Sequence, residues 1–517
     1  MLEKLNIKYL IRAHTVIGLF CIFLFYISSF FGSITFFLPY VNQWELPSTH
    51  IEKTLNYTFN IDNKLNEIIN KYKLDEKNIE ITPPSFKDPR ISISSKDQST
   101  IFLNPNTNEE LDTFYENNSI AEFINEIHFG ENIPLIGTFL MGLSSTAILF
   151  LILSGIILFI STKKKRKQNQ TPKRFWFKWH RNLGLIIIPF LLIFTITGAF
   201  IGMMLNTSTI FSLNATDYKE SNLRKLVSPI LFKQKDNLEK NEINTQMLDL
   251  SILYKKAQEN YENLEIKKIN IYNYNKENSQ IVFSGYLRDN RALSGNINRV
   301  NITLNSINAQ VLSKTYLEQT HGIKQTLSAF YFLHFMPDET IGVRVLFFVL
   351  GVLLLISLVF GYLLWAQKKL HNIDDFRLSN FINRVMLTIV LASFTCVGFL
   401  FFTHYLINNE FLQKDLFIKG MFYILFFILL FYSFFENRVS KIVKVNLYLS
   451  SVFFFFSAFI HGFQTKMFIW DSYAKNIDVI FYVDLILILS SIILFFTAKK
   501  ISLNFMSNFN YDRGLKC

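Results

Sequence analysis

Residues 178–198 read KWHRNLGLIIIPFLLIFTITG: a basic, aromatic entry, then a histidine, then an apolar run. Residues 12–32, RAHTVIGLFCIFLFYISSFFG, carry the same design earlier in the chain. In both, a Gly-Leu pair follows the histidine by four residues: Gly18-Leu19 after His14 and Gly184-Leu185 after His180. A further glycine follows by eighteen, Gly32 and Gly198. A second element also recurs, with His128 lying 27 residues before Gly155 and His334 lying 27 before Gly361. Four histidines in duplicated, membrane-length segments point to a cofactor held between helices.

Half of the 517 residues are hydrophobic, 16% are aromatic and 56 are Phe. Apolar runs near the roughly 20 residues that cross a bilayer as a helix occur eight times. They cover about 13–38, 134–160, 183–204, 341–365, 385–407, 417–435, 446–463 and 478–497. The runs are continuous, not alternating, so they read as helices and not as barrel strands. The fold class is an α-helical integral membrane protein with about eight transmembrane helices.

Lys and Arg set the expected orientation. They gather at Lys4, Lys8 and Arg12, from Lys163 to Arg181, at Lys368, Lys369, Arg377 and Arg384, at Arg438, Lys441 and Lys444, and at Lys499 and Lys500. Every second junction is basic, which places both termini in the cytoplasm. The formal charge of +12 therefore reads as topology and contact with anionic lipid, not nucleic-acid binding. The first apolar run is too long for a signal peptide and lacks an A-x-A-like cleavage site, so it reads as a retained helix. Cys21, Cys396 and Cys517 are scattered and form no Cys-x-x-Cys, so any metal site must be built from histidine.

Two long polar stretches, about 41–132 and 205–340, lie between spans and read as outer α+β modules. The first offers a helix at Ile61–Leu74 and strands at Ile79–Thr82, Ile91–Ser95 and Thr100–Leu103. The second offers a helix at Leu248–Tyr261 and strands at Ile266–Tyr272, Gln280–Leu287 and Arg299–Leu304. The last strand of each runs into a similar Asn-bearing turn, IFLNPNTNEEL (101–111) and ITLNSINAQVL (302–312). The chain is thus expected to divide into a first repeat, 1–160, a second repeat, 161–370, and an appended four-helix bundle, 371–517. Trp44, Trp176, Trp179, Trp365 and Trp470 read as interfacial belts.

Over about residues 1–370 the chain resembles the PepSY-associated transmembrane family, the iron-regulated membrane proteins that include ferric-siderophore reductases. The residues that carry the resemblance are RAHTVIGLF (12–20), KWHRNLGLIIIPFLLIFTITG (178–198), IHFGENIPLIG (127–137) with LILSGIILF (151–159), and LHFMPDETIGVRVLFFVLG (333–351) with FGYLLW (360–365). The outer stretches resemble PepSY-type domains. The resemblance implies haem b and reduction of ferric chelates at the outer face. Better-studied members have four spans, so the appended bundle departs from the pattern.

Topology sorts the histidines into two levels. His14 and His180 lie near the cytoplasmic ends of spans one and three; His128 and His334 lie just before the outer ends of spans two and four. Two neutral imidazoles fill both axial positions of a haem iron and leave no open site for oxygen. Gly18 and Gly184 lie one turn after their histidines on the same face and would let a flat porphyrin approach the backbone. Gly32, Gly198, Gly155 and Gly361 serve either that purpose or helix contact. The expected cofactors are two haem groups, or three if His404 and His461 hold another; those two otherwise face water. His321 competes with His334.

No G-x-G-x-x-G after a strand and no P-loop appears, so no flavin or nicotinamide site is expected and electrons must come from a membrane quinol or a separate reductase. The leading reading is a ferric-chelate reductase of the bacterial inner membrane acting on a ferric siderophore. Its rivals are a siderophore or iron permease, and a non-enzymatic PepSY-type sensor or assembly factor. The spans are poor in acidic residues apart from Asp484, which weighs against ion coupling.

Overall fold

The structure is a computed structural model. It describes residues 2–52, 61–114, 116, 119–134, 136–161, 172–222, 225, 243–261, 263–287, 300–315, 322–335, 340–369 and 376–501. The basic run 163–167, His321 and Cys517 lie outside the described residues. Two compact units form: Met1–Pro47, Tyr115–Asn206 and Thr340–Cys517 make one, and Ser48–Phe114 with Thr207–Glu339 the other.

The first unit is helical. It holds α1 (Leu2–Thr35) and α2 (Leu38–Glu45); α3 (Asp62–Tyr72) belongs to the second unit; then come α4 (Ser119–Phe129), α5 (Gly137–Ser161), α6 (Pro172–Ile186) and α7 (Ile188–Ala215), whose end passes into the second unit. Among the described residues seven helices are long and apolar enough to cross a membrane, and the α6–α7 pair, bent by 68°, makes eight when counted as one broken span. The sequence reading ran this span straight from 183 to 204. The break falls at Ile187, two residues before Pro189: proline has no N–H to bond back to the preceding turn, so the helix restarts with Pro189 in its first turn. His180 consequently sits on α6, a helix with its own direction.

The second unit is a two-layer α/β body. Its strands are β1 (Asn78–Thr82), β2 (Ile91–Ser95), β3 (Ile101–Leu103), β4 (Leu264–Tyr272), β5 (Gln280–Leu287), β6 (Val300–Asn305) and β7 (Val311–Lys314). They form one antiparallel sheet in the order β3-β2-β1-β4-β5-β6-β7. The two stretches read as separate modules therefore share a sheet. Their first strands pair at the seam, Ile79 opposite Ile271 and Ile81 opposite Ile269. One sheet face packs Ile79, Ile93, Ile271, Phe283 and Ile302 against Leu65 and Ile68 of α3 and Leu253 of α8 (Leu250–Asn260). The duplication reaches the turns. Asn104 Oδ1 accepts from Asn106 N at 2.9 Å and Asn305 Oδ1 from Ile307 N at 2.8 Å, and Asn108 and Ala309 share φ of 58° and 56°. This unit ends with α9 (Gly322–Phe335).

Back in the first unit, α10 (Ile341–Lys369) is followed by α11 (Phe376–Leu406), α12 (Lys414–Phe435), α13 (Val439–Thr465), α14 (Ile469–Ala474) and α15 (Asp478–Lys500). Lipid tails give helices little hydrophobic reason to associate, so small residues and hydrogen bonds do the joining. Thr395 and Ser450 hydroxyls meet at 2.8 Å between α11 and α13. Ser451 and Ser491 exchange hydroxyl-to-carbonyl bonds of 2.9 and 2.8 Å between α13 and α15. The bundle shares its apolar core with α1, α2 and α4: Tyr26, Phe31, Trp44 and Phe123 pack in one cluster with Leu400, Phe422 and Leu487.

Candidate functional site

His14 on α1 and His180 on α6 come together, their ring centres 6.4 Å apart and their planes at 71°. Each ring is oriented by a different helix. His14 Nδ1 lies 2.8 Å from Ser154 Oγ on α5. That hydroxyl spends its own proton on Leu151 O at 3.1 Å, so it accepts and His14 Nδ1–H donates. His180 Nδ1 lies 2.9 Å from Ser357 O on α10, and a carbonyl can only accept. The hydrogen-bond network thus assigns both rings the same tautomer, with Nδ1 protonated and Nε2 carrying a lone pair. No described residue takes up either Nε2 by a hydrogen bond.

His128, at the end of α4, repeats the arrangement. Its Nδ1 donates to Ser28 O on α1 at 2.8 Å, and Ser28 Oγ donates back to His128 O at 2.8 Å. Burial lowers its pKa, against the pull of that backbone bond, which keeps the imidazole neutral. Ser28 lies fourteen residues beyond His14 on α1, about 21 Å at 1.5 Å per residue. Two histidine levels along one helix are therefore real features of this unit.

The glycines divide by what faces them. A Cβ on Gly361 would come within 2.9 Å of His180 Cε1, and one on Gly32 within 2.6 Å of His128 Cε1. These two positions must be glycine for the rings to lie where they do. Gly155 is looser, its Cβ position 3.7 Å from His14 Cε1. Gly18 meets only the tip of Leu151 at 3.9 Å, and Gly184 has nothing within 4 Å, so both leave room beside their histidines.

Haem iron can be tested against the first pair. Two imidazoles on opposite sides of one metal, each bonded at about 2 Å, stand roughly 6 Å apart between ring centres. The observed separation fits, and an Nδ1–H donated to a hydroxyl or carbonyl is the usual outer support of a ligating histidine. Among the described residues no three His, Cys, Asp or Glu are grouped to hold a bare metal ion.

His334 lies in the last turn of α9, beside Phe335, and belongs to the second unit.

His404 and His461 do not face water, as the sequence suggested; both are buried. His404 Nε2 donates to Glu45 O at 3.1 Å, and its Nδ1 accepts from Ser119 Oγ at 3.3 Å. With both nitrogens engaged and the opposite tautomer, His404 is no axial ligand. His461 Nδ1 is bonded to Asp484 Oδ2 at 3.1 Å, and its ring lies 4.9 Å from Trp44 and 5.1 Å from Tyr405. Trp44, expected in an interfacial belt, is fully buried and donates Nε1–H to Asp484 Oδ1 at 2.8 Å.

Sequence reasoning passed over Ser154, Ser357 and Ser28. Serines are common in apolar helices, and nothing local marks these as ring anchors. The one usable signal was Ser154 beside Gly155.

No curated protein matches the chain. The PepSY-associated TM region family matches residues 11–368, which take in all four histidines of the duplicated pattern and stop before the appended bundle. Matched over more than half its length, the chain belongs to the PepSY-associated TM region family.

Proposed function

We propose that the chain carries electrons across a bacterial inner membrane on haem b and reduces ferric chelates of the siderophore type. The observation that carries this reading is the shared tautomer of His14, His180 and His128, with two of these rings at the spacing of a common iron. Haem b, when bound, supplies a reversible one-electron couple at iron.

The chain's own residues do the rest. His14 and His180 would hold the haem through their Nε2 atoms. Ser154 and the Ser357 carbonyl hold the rings against rotation. Gly361 lets the His180 ring lie against α10, and the open side of α6 at Gly184 admits a flat group. His128 supplies a second level about 21 Å along α1. The basic junctions put both termini in the cytoplasm, so the His128 level is the outer one. Electrons enter from a membrane quinol or a separate reductase. Reduction frees iron because a chelator built for Fe(III) holds Fe(II) far less tightly.

Protein purified from haem-replete cells is expected to show reducible b-type Soret and alpha bands, two haems per chain by pyridine haemochrome, and reoxidation by a ferric siderophore. A colourless preparation overturns the proposal. Uptake of the intact chelate into proteoliposomes without any reductant would instead establish the permease.

A further inference from the structure

The appended bundle lies outside the family match, yet it buries several ionisable groups, among them His404, Lys414, His461 and Asp484. We propose that this bundle is a positioning device for His128, gripping helix α4 through Glu45 and Lys419. The inference rests on the reading of His128 as an iron ligand.

Helix α4 has eleven residues and carries His128 in its last turn. A helix so short is marginal by itself, so its position is set by whatever holds it. The first N–H groups of any helix lack helical acceptors. Here Glu45 supplies them: Oε2 accepts from Ile120 N at 2.7 Å and Oε1 from Ala121 N at 3.2 Å. A carboxylate at that end also meets the positive pole of the helix dipole. Burial raises the Glu45 pKa, while the two N–H bonds and neighbouring Lys414 oppose the rise and Asp415 adds to it.

Glu45 belongs to α2, and the bundle fixes α2. His404 of α11 donates to Glu45 O, and Tyr405 OH donates to Trp44 O at 2.7 Å. Asp484 of α15 accepts from Trp44 and from His461 of α13. Three bundle helices thus converge on two consecutive residues of α2, and Glu45 passes that anchorage to α4. Ser119, the first residue of α4, is also tied to α11 through its bond to His404.

A second grip lies further along. Lys419 Nζ of α12 binds both Glu126 oxygens, at 2.9 and 2.8 Å, and sits 5.6 Å over the Phe123 ring. Phe123 in turn meets Phe422 edge-on at 5.0 Å. The partly exposed ion pair lies two residues before His128 and one turn after Phe123. A ligand side chain needs placement to within about 0.5 Å; one of the three levels that hold this helix comes from the bundle directly, through Lys419, and one through α2, which the bundle anchors. The third is the pair of bonds to Ser28.

The test uses the full-length protein. His128→Ala first identifies which low-spin EPR signal and which haem belong to this histidine. Glu45→Gln leaves one of the two α4 N–H groups facing an amide donor, and Lys419→Met removes the ion pair. Each is expected to weaken haem retention at the His128 site by about tenfold or more and to shift its EPR signal, with the His14/His180 signal unmoved. Lys419→Arg restores both, since a guanidinium keeps the two-point bond to Glu126. If Glu45→Gln fails to accumulate, the partly exposed Lys419 decides the matter. Wild-type retention and signal in the Lys419→Met protein overturn the positioning role while leaving the haem reading intact. A His128→Ala protein that loses no haem overturns the ligand assignment itself.

Discussion

Two pairs of histidines lie in the helical unit at different depths. His14 and His180 are partly buried, and His404 and His461 are fully so. Hydrogen bonding sets His404 apart from the first pair. The first pair donates Nδ1–H outward to neighbouring helices and keeps Nε2 basic. His404 has both nitrogens engaged in the opposite tautomer, whereas His461 also directs Nδ1 to a neighbouring group, the Asp484 carboxylate. A buried histidine's tautomer is thus set by the partner of its Nδ1 or Nε2, which neither depth nor spacing in the chain shows.

The sharpest way to break this contrast is to remove one ring of each kind. His180→Ala should abolish haem binding at the His14 level, read as loss of one haem per chain by pyridine haemochrome. His461→Ala should keep that haem but destabilise the bundle by about 1–3 kcal/mol, because a buried Asp484 oxygen loses a hydrogen-bond partner; the shift in thermal unfolding in detergent measures it. Equal haem loss in both would erase the distinction.

Smaller changes probe the ring seats. Gly361→Ala drives a methyl to within 2.9 Å of His180 and should weaken haem affinity about 10- to 100-fold, whereas Gly184→Ala enters open space and should fold normally. Ser154→Ala removes the acceptor of His14 Nδ1–H and should lower affinity by about tenfold. Ser357→Ala should change little, because His180 uses the backbone carbonyl there. Haem titration of the apoprotein separates all four.

The smallest expected effect is on the bundle's loop. Arg438 beside Glu436 holds that carboxyl down at about 2, with Lys441 adding to the effect. A depressed folded pKa means the stabilisation is complete above the unfolded value near 4.5 and is lost as pH falls through about 2. Arg438 is 61% exposed, so Glu436→Gln should cost under about 1 kcal/mol at neutral pH and leave haem content untouched. A larger cost in a pH-dependent melting series would show that the loop braces the bundle more firmly than its exposure suggests.

The strands of the sheet-bearing unit were legible because alternation along a half-buried strand is a local signal. Ile91–Ser95 and Gln280–Leu287 fall where the alternation placed them. The fusion of both modules across β1 and β4 was not legible, because strand pairing between distant segments leaves no mark in either. Likewise the bend at Ile187 was signalled by Pro189 but overridden by the continuity of the apolar run.

By itself the sequence determined the membrane class, the duplication and the four histidines at matched spacing, since each rests on composition or period. Only the tertiary structure decided which groups the histidine nitrogens bond to. That choice depends on hydrogen bonds between helices far apart in the chain, such as His14 to Ser154 and Glu45 to the start of α4. The same long-range bonds gave the appended bundle, an unexplained addition in the sequence, its place against α4.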